Sequence, residues 1–157
     1  MTILILGIGN PILTDDGVGI VVARRVHLQL QKDPDVAVEE ACMGGMAMVE
    51  MMMGYDTTIV VDAVLTGKDP VGTIRRMTPS DFSETVHAST PHDMGFLQAI
   101  EVIQRTFPDE LPGSIVIYSI EVDNITDFSE ALTPDVERAV PKAVEMVLNE
   151  VRSIRDL

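Results

Sequence analysis

The chain alternates between short unbroken apolar runs and longer stretches in which apolar residues recur every three or four positions. The first pattern suits strands buried on both faces, the second helices with one buried stripe. Thr2–Leu6 predicts a first strand, and the spacing of Val18, Val21, Val22 and Val26 predicts a helix from about Gly17 to Leu30. After the Asp33-Pro34 turn, Val36–Glu40 predicts a second strand. Gly45–Met53 predicts a short helix, with Gly54 placed to end it. Thr57–Val61 is β-branched and unbroken, as a doubly buried strand should be, and its predicted end is Asp62. Thr73–Met77, between turn signals at Gly72 and Pro79, predicts a hairpin or edge strand.

In the second half, Phe96, Ile100, Ile103 and Phe107 space a helix over Asp93–Phe107, and Ser114–Ile120 is a further apolar strand. Thr133 is placed to cap a last helix with Pro134 in its first turn. Its predicted buried face is Val136, Val140, Val144, Val147, Val151 and Ile154. Pro141 falls inside that helix, removes a hydrogen bond and is expected to kink or split it. Strands alternating with helices predict a three-layer α/β/α sandwich around a mostly parallel, mixed and twisted sheet of about five strands. The 157 residues suffice for one domain with its own core, so the expected unit is the whole of 1–157.

Charge narrows the partners. Eleven basic against 25 acidic residues leave a net charge of −14, which disfavours nucleic acid and anionic membrane, since both require basic patches. Cys42 is the lone cysteine, so no intramolecular disulfide and no cysteine-based zinc cluster is expected. Met1–Leu6 lacks the basic flank of an export signal, and no run approaches the roughly 20 apolar residues of a membrane helix. A soluble cytoplasmic protein without membrane insertion is the expectation.

The candidate chemistry begins where the first strand ends. Ile3–Leu6 runs into Gly7-Ile8-Gly9-Asn10-Pro11, and Asp15-Asp16-Gly17-Val18-Gly19 follows. In open α/β sheets, loops at the carboxyl ends of strands are where ligands bind. Asp16 lies in such a loop, Asp62 at the end of the most buried strand, and His92 just before a helix. If the strands are parallel, the two carboxylates share one edge of the sheet, and a long loop can bring the imidazole there. Two carboxylates and one imidazole suit a borderline divalent ion such as nickel or zinc, with positions left open for water or substrate.

Each residue also has a plain structural role available. Asp16 alone would cap the helix that starts at Gly17. Asp62 is harder to explain that way, because aspartate disfavours strands and resists burial without a partner. His27 and His87 read as surface histidines. Met43, Met46, Met48, Met51, Met52 and Met53 read as adaptable core filler, with room for some to face a cleft. A dinucleotide site is disfavoured because Ile12 stands where G-x-G-x-x-G needs its third glycine, and two acids face any pyrophosphate. Cys42 lacks a glycine-flanked nucleophile motif, so a cysteine hydrolase is disfavoured too.

The segments Ile5-Leu6-Gly7-Ile8-Gly9-Asn10 and Thr14-Asp15-Asp16-Gly17-Val18-Gly19 resemble the opening motif of the nickel–iron hydrogenase maturation endopeptidases. The resemblance continues through Ile59-Val60-Val61-Asp62-Ala63, Thr90-Pro91-His92-Asp93-Met94-Gly95 and Ala131-Leu132-Thr133-Pro134-Asp135-Val136. It therefore covers nearly the whole chain, as one hydrogenase maturation peptidase domain with a phosphorylase/hydrolase-like fold. It implies that Asp16, Asp62 and His92 are both the metal-contacting and the catalytic residues. The implied activity removes a short C-terminal extension from the hydrogenase large-subunit precursor after nickel insertion. The nickel would be presented by the precursor, another divalent ion being possible in the isolated protein. Hydrolysis would use either a metal-activated water or a carboxylate general base. A non-proteolytic nickel-binding chaperone or adaptor for the same precursor is the alternative, since the same ligands serve both roles. One departure stands out: relatives carry Asp-Gly-Gly or a similar motif after the second strand, whereas here Glu40-Ala41-Cys42 aligns and Gly44-Gly45 comes later. The backbone N–H groups of Gly7–Asn10 are available either to orient substrate or to shape the turn.

Overall fold

A computed structural model describes residues 1–42, 44–85 and 91–156, with side chains described for all of these except 83–85 and 91–94. Five strands form one sheet: β1 (Ile3–Ile8), β2 (Val36–Ala41), β3 (Thr57–Val64), β4 (Ile74–Met77) and β5 (Ser114–Glu121). Their order is β2-β1-β3-β5-β4, parallel throughout except for the antiparallel edge strand β4. The helices are α1 (Val18–Leu30), α2 (Met46–Met52), α3 (Pro79–Thr85), α4 (Pro91–Thr106) and α5 (Pro134–Arg155). The three-layer sandwich expected from the alternating pattern is the architecture found.

Period-two alternation along the central strands divides the core. Ile3, Ile5, Ile59, Val61, Val116 and Ile120 join the valine face of α5 and Val18, Val22 and Val26 of α1. Leu4, Leu6, Val60, Val64 and Ile117 face the other way, against Met48 and Met52 of α2, Phe82 of α3, and Phe96, Ile100 and Ile103 of α4. Every residue of β1 and β3 is buried, which is why both read as unbroken apolar runs.

The details that the local pattern left open have identifiable causes. β3 does not stop at Asp62 but continues to Val64, because β5 reaches Glu121 and supplies partners for Asp62, Ala63 and Val64 at Ser119, Ile120 and Glu121. β4 is an edge strand rather than half of a local hairpin, since its partner β5 lies far along the chain. α3 was not expected, yet its start is built by Thr78 and Asp81, whose backbone N–H groups donate to each other's side chains at 2.9 and 3.3 Å. α4 begins at Pro91, so His92 falls inside its first turn and Phe107 falls outside the helix, 58% exposed.

α5 is one continuous helix through Pro141. Pro141 is exposed, while Val136, Val140, Val147 and Val151 are almost fully buried. At about 1.5–3 kcal/mol per buried valine, that face outweighs the roughly 3 kcal/mol cost of an interior proline. Thr133 flanks α5 as expected, but its hydroxyl does not cap the helix. It donates instead to the Asp15 carboxylate at 2.8 Å, because a fully buried carboxylate has the stronger need for donors.

Candidate active site

The candidate residues Asp16 and Asp62 lie on the loop after β1 and near the carboxyl end of β3, strands that pair side by side and parallel. β1 leads through Gly9 and Asn10 into a 3-10 turn, Thr14–Gly17, that feeds directly into α1. Two glycines let this segment close tightly over the sheet. Gly9 sits at φ 143°, and a Cβ there would lie 1.9 Å from the Asp16 carbonyl oxygen. A Cβ on Gly19 would lie 2.3 Å from the Val61 carbonyl oxygen and 2.5 Å from that of Ile8. The first turn of α1 therefore rests directly on the ends of both central strands. Asp16 lies three residues before Gly19, and Asp62 follows Val61 in β3.

Both carboxylates are buried, Asp16 3% and Asp62 4% exposed. Asp16 Oδ2 accepts a hydrogen bond from the Asn10 backbone N–H at 2.9 Å, so its role is not to cap α1, whose N-terminus has no side-chain cap. The Gly9 N–H donates to the Ala41 carbonyl at 3.1 Å, so the N–H groups of Gly9 and Asn10 shape the turn rather than await substrate. Asp62 stands between Val60 and Val64, which face the α2–α4 layer, and opposite Ser119 of β5. His92 belongs by its backbone to the first turn of α4, in that same layer, while its side chain lies outside the described residues. His87 and Met43 also lie outside them. Among the described residues, which do not include the His92 side chain, no group of three or more His, Cys, Asp or Glu is placed to hold a metal ion.

Asp15, the other half of the acidic pair, is a scaffold residue. It is fully buried and accepts from the Thr133 N–H at 2.7 Å, the Thr133 hydroxyl at 2.8 Å and the Asn124 N–H at 3.4 Å. Asp15 and Asp16 are acids in one loop, and their contacts in the fold separate their duties. Beyond Asp62 on the same face, Val64, Thr66, Arg75, Met77, Ser119 and Glu121 line a cleft of about 280 Å³. Buried Glu121 accepts from the Thr66 N–H at 3.0 Å. Arg75 pairs bidentately with Asp69 at the rim and holds that carboxyl below its usual range.

The remaining candidates sort plainly. His27 is exposed, as expected of a surface histidine, and Cys42 is exposed as well, not buried. Met48 and Met52 are buried core filler, Met51 and Met53 are half-buried, and Met46 is 38% exposed. No helix among the described residues is long and apolar enough to cross a membrane.

Comparison with known proteins bears on the same architecture. The family model described as HycI, hydrogenase maturation protease, matches residues 20–150. The hydrogenase 2 maturation protease of Escherichia coli (strain K12) is 26% identical over 156 residues, covering 97% of this chain and 92% of that protein. The solved structure of the hydrogenase maturating endopeptidase HybD from E. coli superposes with a TM-score of 0.82 at 25% identity, covering 98% of this chain and 93% of that one. The [NiFe] hydrogenase maturation protease HybD from Thermococcus kodakarensis, 23% identical, shares the fold with a TM-score of 0.73 over 95% of this chain and 98% of that one. The chain belongs to the hydrogenase maturation protease family, endopeptidases that remove the C-terminal extension of the hydrogenase large subunit.

Proposed function

We propose that Asp16, Asp62 and His92 together grip the nickel carried by the large-subunit precursor and so set the scissile bond at the carboxyl edge of the sheet. The nickel is part of the substrate, and its presence marks a precursor ready for processing. The observation that supports this reading is the close backbone approach of Gly19 to Ile8 and Val61, which packs the start of α1, just after Asp16, against β1 and β3 beside Asp62. Both carboxylates are buried on adjoining elements, Asp16 on the turn before α1 and Asp62 on β3. We assign the third ligand to His92, whose backbone belongs to the first turn of α4, in the layer that Asp62 faces, for a two-oxygen, one-nitrogen set. Such a set suits nickel and leaves coordination positions for the precursor's own ligands. The cleft beyond Asp62 gives the tail of the precursor a path across the sheet edge. We place the reaction in the cytoplasm, a reading supported by the single unpaired cysteine.

The test is processing by Asp62→Ala and His92→Ala variants, read by mass spectrometry of the precursor C-terminus. Both variants are expected to fold, with near-wild-type circular dichroism, and to leave the nickel-loaded precursor uncut. Normal processing by either would remove that residue from the site.

A further inference from the structure

The loop that carries Asp16 is stitched to a second loop, residues 124–133, and the seam is strained. Thr14 sits at φ 50°, a left-handed conformation unfavourable for a β-branched residue. It is held there from the second loop: its N–H donates to the Ser129 carbonyl at 2.9 Å and its hydroxyl to the Asp127 carbonyl at 2.6 Å. Leu13 and Ser129 form an isolated parallel bridge, with the Ser129 N–H donating to the Ile12 carbonyl at 3.0 Å. The Asp15 N–H donates to the Asn124 carbonyl at 2.9 Å, and the Asp15 carboxylate ties down Thr133 and Asn124.

This rigid seam displays apolar residues to solvent. Ile12 and Phe128 lie side by side in the register of the bridge, Ile12 47% and Phe128 85% exposed. A phenylalanine that exposed contributes little to the core, and the chain has only four. The surrounding surface is acidic, with Asp123, Asp127 and Glu130 all exposed. Ile12 lies four residues before Asp16, so the knob sits on the same loop as the proposed site.

We infer that the Ile12–Phe128 knob docks the folded body of the precursor while its tail enters the site; this rests on the proposed function above. The partner surface is an apolar recess rimmed by lysine or arginine. A second copy of this chain does not fit, since facing knobs would set the acids of one copy against those of the other. The rigid seam lowers the ordering cost of docking, and an exposed aromatic held in place is a typical binding hot spot.

The test is steady-state processing of the full-length, nickel-loaded precursor by Phe128→Ala, Ile12→Ala/Phe128→Ala and Glu130→Lys. The first two are expected to raise KM about tenfold, with kcat within about twofold of wild type and Tm unchanged. Glu130→Lys is expected to raise KM at low salt and to lose that effect at high salt. An unchanged KM in the double variant overturns the inference. So does a fall in kcat or Tm, which would make the knob catalytic or structural. Loss of self-association on sedimentation, with KM unchanged, would assign the face to a second copy and also overturn it. If the wild-type protein leaves the precursor uncut, the functional reading fails by itself. Interferometry of precursor binding to the same variants then decides the docking surface.

Discussion

Gly19→Ala tests the link between fold and site, because it adds one carbon where α1 meets the strand ends. That carbon would lie 2.3 Å from the Val61 carbonyl oxygen, 2.5 Å from the Ile8 carbonyl oxygen and 3.1 Å from the Ile8 nitrogen, all of them backbone atoms. None of them is the end of a flexible side chain, so relief requires α1 to retreat by roughly 1 Å to reach ordinary contact. Overpacking of this kind costs about 1–3 kcal/mol, a Tm decrease of roughly 2–12 °C for a chain of this size. The same retreat carries Asp16 away from the strand end beside it. A misplacement of about 1 Å at reacting groups costs on the order of 100-fold in rate. Gly113→Ala is the control, since its added carbon would lie 3.7 Å from the Asp56 carbonyl, an ordinary contact. The assays are thermal unfolding by circular dichroism and precursor processing followed by mass spectrometry. A lowered Tm with undiminished processing would show that the site does not depend on this approach. Unchanged Tm and processing would refute the packing argument itself.

Asp15→Asn replaces one acceptor oxygen of a fully buried carboxylate with a donor facing donors from Thr133 and Asn124. It should lower the stability from urea unfolding by about 1–3 kcal/mol with an unchanged m-value; an unaltered midpoint would contradict the scaffold role. Glu150 accepts a bidentate pair from Arg76 at 2.8 Å and the Tyr118 hydroxyl at 2.6 Å. The Arg76 hydrogen bond, helped by Tyr118, holds the Glu150 carboxyl below its ordinary value, while burial beside that carboxylate pushes the Tyr118 phenol up. A depressed carboxyl stabilises the fold above its unfolded pKa, and that contribution fades as pH falls through the folded one. Glu150→Gln should therefore cost about 1–3 kcal/mol at pH 7 and progressively less below about pH 4. A difference that stays constant down to pH 3 would contradict the assignment.

The parts of the fold legible in the sequence are those where local pattern and final packing agree. β1, β5 and the α5 valine face follow from apolar periodicity because each strand or helix buries most of the residues its own spacing selects, and β2 follows from its place after the Asp33-Pro34 turn. What the pattern missed depends on distant partners. The last residues of β3 are strand because β5 pairs with them, and of the hairpin and the edge strand that Thr73–Met77 allowed, β5 selects the edge. Pro141 signals a broken helix locally, yet valine burial on both sides of it keeps α5 whole. α3 was in principle legible, since Thr78 and Asp81 form its capping pair and Pro79 follows the cap. At the site, Asp16 and Asp62 were singled out by their place at strand ends, and the parallel β1–β3 pair puts those ends on one edge. The different duties of Asp15 and Asp16 were not legible, because they depend on Thr133 and Asn124, more than a hundred positions away.

The most direct test of the central claim is mass spectrometry of the large-subunit precursor, incubated with purified protein, with and without inserted nickel. The account predicts a precursor shortened at its C-terminus only when nickel is present, and no shortening with Asp16→Ala, Asp62→Ala or His92→Ala. Cleavage of the nickel-free precursor at the same rate would contradict recognition through the metal. Binding of the loaded precursor without any shortening would contradict the peptidase reading and leave a nickel-recognising adaptor.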